Sequence, residues 1–165
     1  MIFVTVGTHE QQFDRLVKQI DLLKESGVIT EDVMIQTGFS TYEPVHCKWS
    51  KLLSFKEMQT YVAEARIVIT HGGPSSFIAP LQIGKIPIVV PRQKKYEEHV
   101  NDHQVSFCKE VKERMGTIIL VEEVEDLRKV ISEYDEYVNE ISFQQQSNNA
   151  RFNENLETIV GELLA

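Results

Sequence analysis

Cysteine is scarce: Cys47 and Cys108 are the only two in 165 residues. They show no metal-ligand spacing and need not pair, so a reduced, cytoplasmic protein is the simpler expectation. Long apolar runs are missing too. No stretch approaches the ~20 residues needed to cross a bilayer. The N-terminus has no basic region and reaches Gly7 almost at once, so it reads as a strand and not as a secretory leader. If such a chain works at a membrane, something else must hold it there. Positive charge is also in deficit. With 17 Lys+Arg against 25 Asp+Glu the formal net charge is −8, which argues against a nucleic-acid partner. Internal repeats and low-complexity linkers are absent, and the length suits a single domain over 1–165 that can bury a real core.

What is present is an ordinary apolar share, 42%, distributed in short runs. Residues 2–6, 33–37, 67–70, 86–90 and 117–121 are apolar runs, several rich in β-branched residues, that end at or follow turn chemistry, as buried parallel strands do. Between them the apolar residues change to helical spacing: Phe13, Leu16, Val17, Ile20 and Leu23 before Gly27; Met58, Tyr61, Val62 and Ala65; Val124, Leu127, Val130 and Ile131. Residues 39–50 read as a loop or an edge strand, with Trp49 as a packing residue. Residues 98–111 are expected to form a helix with Val100, Phe107 and Val111 inward. Residues 135–165 combine a polar segment, loop or exposed helix, with an amphipathic helix carrying Phe152, Leu156, Ile159, Val160 and Leu163. That helix covers its own domain, packs on a partner, or supports a homodimer in isolation. The pattern is α/β, a Rossmann-like parallel sheet with helices on both faces.

Chemistry concentrates between Arg66 and Gln104. Directly after one strand comes His71-Gly72-Gly73-Pro74-Ser75-Ser76. Glycines leave the backbone bare there, and such a turn aims unpaired N–H groups and the positive end of a helix dipole at a phosphate. Ser75 or Ser76 is expected to cap the next helix. Pro80 is comfortable only in a first turn, so that helix is expected to start late or bend. His99 and His103, four apart, would share a helical face as metal ligands do, but no third ligand is evident and no metal is expected. On spacing alone Gly7 is a tight turn, and His9 and Glu10 are titratable groups at a strand's carboxyl end.

Several ordered motifs carry a resemblance over residues 1–125. Ile2-Phe3-Val4-Thr5-Val6-Gly7-Thr8, the His71–Ser76 turn, Gly84-Lys85-Ile86-Pro87 and Asp102-His103-Gln104 together resemble the glycosyltransferase family 28 C-terminal type. Such chains are the nucleotide-sugar-binding half of a GT-B enzyme. Single-domain members include the catalytic subunit of the two-part N-acetylglucosaminyltransferase of N-glycan assembly and bacterial capsule and exopolysaccharide β-1,4-galactosyltransferase subunits. The resemblance implies a UDP-sugar donor, with Gly7, Thr8 and the turn His71, Gly72, Gly73, Ser75 and Ser76 on the diphosphate. It puts Phe55 and Lys56 against the uracil, and His103 and Gln104 on the sugar with Asp102 as a further acceptor. The plain alternative for Phe55 and Met58 is core packing. No cofactor and no metal in the donor domain are implied. A general base is needed, supplied by His9 or by a partner.

One departure stands out. Relatives carry a glutamate eight residues after the position of His71, where it meets the ribose hydroxyls; this chain has Ala79. Ribose would then be held by water or by Glu97 or Glu98. The resemblance further implies a membrane-associated subunit supplying the acceptor half, a lipid-linked (polyprenyl-diphosphate) saccharide as acceptor, and a location at the inner face of the membrane through that partner. UDP-galactose, added in a β-1,4 linkage, is the leading donor. A non-catalytic activating subunit is the alternative, and a sugar-nucleotide epimerase ranks last because such chains need two domains.

Overall fold

Alternation of apolar residues across short strands sets the architecture, which a computed structural model describes for residues 1–145 and 161. The strands are β1 (Ile2–Thr5), β2 (Val33–Gln36), β3 (Lys48–Ser50), β4 (Ile67–His71), β5 (Ile88–Val90) and β6 (Ile119–Leu120). All pair in parallel in one sheet of order β3-β2-β1-β4-β5-β6, with Ile2 opposite both Val33 and Ile67. The helices are α1 (Asp14–Glu25), α2 (Phe55–Glu64), α3 (Pro74–Gln82), α4 (His103–Met115) and α5 (Leu127–Ser132), and residues 134–145 are helical beyond them.

Successive side chains of a strand face opposite ways, and the two faces bury different partners. Ile2, Val4, Ile67, Ile69, Ile88 and Val90 pack with Leu16, Val17 and Ile20 of α1 and with Leu127 and Ile131 of α5. On the other face Phe3, Met34 and Val68 meet Val62 of α2, while Val89 meets Phe77 of α3 and Cys108 of α4. Strands covered on both faces read as continuous apolar runs, which is why they were legible. The 39–50 segment ends in an edge strand, β3, one of the two forms expected for it, and Trp49 there is 40% exposed.

Three local expectations are corrected. Neither Ser75 nor Ser76 caps α3: Gly73 holds the N-cap position without a side-chain bond, Pro74 takes the first helical slot, and the serines lie inside the first turn. The helix therefore does not start late, and Pro80 falls near its end. The helix expected over 98–111 begins only at His103. Its entry is a 3₁₀ turn at Lys94–Tyr96 and an Asn101 side chain that accepts from His103 N at 3.0 Å. Val100 is consequently exposed instead of buried, and Phe107 is 39% exposed. Because residue 99 precedes the helix, His99 and His103 do not share a helical face. The expected C-terminal amphipathic stripe, Phe152 to Leu163, lies outside the described residues.

Candidate functional site

In this strand order β1 has β2 on one side and β4 on the other, and the chain's connections leave in opposite directions. A crevice opens at that switch point beyond the carboxyl ends, where open α/β sheets bind ligands. Two clefts lie there. The first, about 480 Å³, is walled by Gly7, Thr8, His9, His71, Ser75 and Ser76, with Leu52, Leu53 and Met58 on its apolar side. The second, about 490 Å³, is walled by Gly72, Gly73, Pro74, His99, His103 and Gln104. The His71–Ser76 turn is the ridge between them. A larger cleft of about 660 Å³ lies beside β6, away from the switch point; its walls include residues 137–144 of the last described helix, and its glycine, Gly116, only closes the C-terminus of α4. The two clefts at the strand ends are the chemically equipped ones.

His71 is the centre of the ridge. Its ring is wedged between two glycines: a Cβ on Gly7 would stand 2.5 Å from Nε2, and one on Gly73 would stand 2.3 Å from Cε1. Gly7 also has φ +79°, so both space and backbone require glycine there. Gly73 N donates to His71 Nδ1 at 3.0 Å, which commits Nδ1 as an acceptor. Burial first, then the Arg92 charge, push His71 down to about 4, so at neutral pH the ring is uncharged and its one proton sits on Nε2. That proton goes to Ser76 Oγ at 2.7 Å. Ser76 thus accepts from His71 and keeps its own hydroxyl hydrogen to donate outward. The turn is less bare than expected: Gly72 N and Gly73 N are committed to Gln104 Oε1 and His71 Nδ1, Pro74 has no N–H, and Ser76 N donates to Gly73 O at 3.0 Å, which leaves Ser75 N as the backbone donor beside that hydroxyl.

The β1 loop is locked from below. Gln36, buried at the end of β2, accepts from Thr5 Oγ1 at 2.6 Å and Gly7 N at 3.2 Å, and donates to Gly7 O at 3.0 Å and Lys51 O at 3.1 Å. His9 and His99 stack with centroids 4.7 Å apart, joining the loops after β1 and β5. His9 Nε2 lies 2.9 Å from Gln11 Oε1, an acceptor only, so Nε2 carries the proton and Nδ1 is left able to accept one.

Gln104 Oε1 accepts from Gly72 N at 3.1 Å and Arg92 N at 3.0 Å, clipping β4, β5 and α4 together, and its amide nitrogen faces His71 Nδ1 at 3.5 Å. Asp102 Oδ1 accepts from Lys94 N, and His103 is exposed on the rim. Phe55 and Lys56 line neither cleft. A capping box between Ser54 and Glu57 starts α2 with Phe55 turned outward, 78% exposed, so its core alternative fails while Met58 packs inward beside Tyr61. Glu98 is not free for ribose: it is fully buried and bonded to Arg15 and Gln93 N. Glu97 is exposed, in a left-handed conformation. The sequence reading does not single out Gln36, Arg15 or Arg92; for Gln36 and Arg92 the available signal is a polar or charged residue closing an otherwise apolar strand run, and for Arg15, in the first turn of α1, there is none.

Among the described residues no group of three potential ligands is placed to hold a metal ion, and no helix is long and apolar enough to cross a membrane. No curated protein matches this chain. Among solved structures it is similar to the glycosyltransferase SnogD from Streptomyces nogalater, with TM-score 0.55 and 16% identity over 88% of this chain and 38% of that one. A likeness to the glycotransferase of kitacinnamycin has TM-score 0.49 and 14% identity over 90% of this chain and 39% of that one. The chain thus spans about two fifths of the length of these structures, and at such identity the SnogD likeness concerns the fold. The sequence profile of the glycosyltransferase family 28 C-terminal domain matches residues 1–162, and the chain belongs to that family.

Proposed function

We propose that this chain is the donor-binding subunit of a UDP-sugar-dependent hexosyltransferase. The observation that carries the reading is the ridge itself: a helix N-terminus, two serines and a glycine loop converge at the switch point between β1 and β4. The nucleoside lies on the Leu52–Met58 side, with Phe55 and Lys56 nearby through their backbone. The diphosphate lies over Gly7, Thr8 and His71–Ser76, and the sugar lies toward Asp102, His103 and Gln104. UDP-galactose is the leading donor, transferred in a β-1,4 linkage for capsule or exopolysaccharide synthesis.

In the reaction the acceptor oxygen attacks the anomeric carbon, the bond from that carbon to the phosphate oxygen breaks, and the electron pair leaves with UDP. Donors fixed before the reaction stabilise that leaving charge without reorganising. His9 Nδ1 takes the acceptor proton, or a base on the acceptor-binding subunit does. That subunit is membrane-associated, presents a polyprenyl-diphosphate-linked saccharide, and recruits this chain to the inner face of the membrane. Ala79 favours a second reading. It is exposed one turn after Ser75 and offers only a methyl, and Glu98 is committed elsewhere, so a non-catalytic activating subunit would also carry these features.

Calorimetric titration with UDP, UDP-galactose and UDP-N-acetylglucosamine tests the first reading. UDP species should bind, and Ser75→Ala/Ser76→Ala should weaken them about tenfold, the order for losing charge-assisted donors. Absence of binding with and without the acceptor subunit would sink it. Full turnover of the reconstituted pair carrying His103→Ala/Gln104→Ala, with donor turnover traced to the partner, would favour the second.

A further inference from the structure

Arg92 stands just past β5, and no part of its side chain meets solvent. Four backbone carbonyls receive its guanidinium. Nη2 donates to Val6 O at 2.7 Å, and Nη1 to Gln11 O, Glu98 O and Gln12 O at 2.8, 3.0 and 3.2 Å. The group lies over the Phe13 ring, 5.0 Å from its centroid, and Nε has no partner among the described residues. Burial brings it down only to about 10, so it remains a cation at neutral pH.

What this cation lacks among the described residues is a carboxylate of its own. Glu98 is the carboxylate whose charge it feels, but Glu98 Oε1 accepts from Arg15 Nε at 2.8 Å. Its Oε2 accepts from Arg15 Nη2 at 3.0 Å and from Gln93 N at 2.9 Å. Among the described residues two guanidiniums therefore share one buried carboxylate, and one positive charge of the three groups is in excess. The carbonyls solvate that charge without neutralising it, and a buried charge without a counter-ion is destabilising. Three of the four carbonyls belong to Val6, Gln11 and Gln12, which bracket Gly7, Thr8 and His9. The Arg92 charge also reaches the cleft walls, being among the causes that hold His71 and His99 below their ordinary range.

We propose that Arg92 is a positioning residue whose missing counter-anion is the donor diphosphate: it braces the Gly7–His9 loop and draws phosphate to the His71–Ser76 turn without touching it. The inference rests on the UDP-sugar reading, and UDP against uridine separates the two. Wild type binds UDP more tightly than uridine. Arg92→Met lowers that ratio about tenfold, the order for one unit charge acting without contact across ~12 Å at an effective dielectric of ~20. Arg92→Lys keeps the ratio within about threefold, because the ammonium retains the charge while losing the fork that reaches four carbonyls. Glu98→Gln, which adds one unit of excess buried charge, raises the ratio and decides the matter if Arg92→Met does not fold. An unchanged ratio in Arg92→Met, or an unchanged or lowered one in Glu98→Gln, overturns the proposal and leaves Arg92 a structural brace. A wild type that binds uridine as well as UDP, or binds neither, overturns the donor-site reading beneath it.

Discussion

Two glycines and one histidine decide the shape of the ridge. A methyl at Gly7 meets the His71 ring and must also adopt φ +79°, whereas Gly27 has φ +75° with nothing within 4 Å of the place a methyl would take. Gly27→Ala should therefore cost about 1 kcal/mol for the backbone alone. Gly7→Ala should cost roughly 2 kcal/mol more, since the buried ring has nowhere to go; urea denaturation of the two variants measures the difference. His71 makes a pH prediction. Its native value of about 4 lies below the ordinary 6.5, so on lowering the pH the unfolded chain takes up the proton first. Its contribution to stability is whole above pH 6.5 and is lost as the pH falls toward 4, in total on the order of 3 kcal/mol. The fall in unfolding free energy across that window should be shallower by about this amount in His71→Gln.

Among the elements, those whose residues bury on both faces were legible, and those set by a single side-chain contact were not. The strands announced themselves because both faces of Ile67–His71 and Ile88–Val90 are buried. The start of α4 did not, because acidic and apolar residues before it suggest a helix, while Glu98 is bound inside by Arg15 and Asn101 begins the helix late. The same contrast explains the site. His71, Gly73 and Ser76 were readable as a turn, but Gln36 and Arg92 act through partners 29 or more residues away, Gly7 and Val6, which no local pattern reveals. Lys85 is a further case: it donates to the carbonyls of Val62, Ala63 and Ala65 at the end of α2, satisfying acceptors the helix leaves open. At the other end of that helix, Ser54→Ala should break the capping box and lower stability by about 1 kcal/mol. A thermal melt reads that loss, and no gain elsewhere is expected to offset it.

For the whole molecule, one α/β sheet carries the proposed wall for a nucleotide diphosphate, and the proposed acceptor half comes from a second subunit. The central claim is that UDP occupies the crevice between β1 and β4. Amide NMR of the ¹⁵N-labelled chain titrated with UDP tests it directly. The account predicts that the largest shifts fall on Gly7, Thr8, Ser75, Ser76 and Phe77, with smaller ones at Leu53 and Met58. Shifts confined to the cleft beside β6, around Leu120 and Tyr137, or no shifts at saturating UDP with the acceptor subunit present, would contradict it.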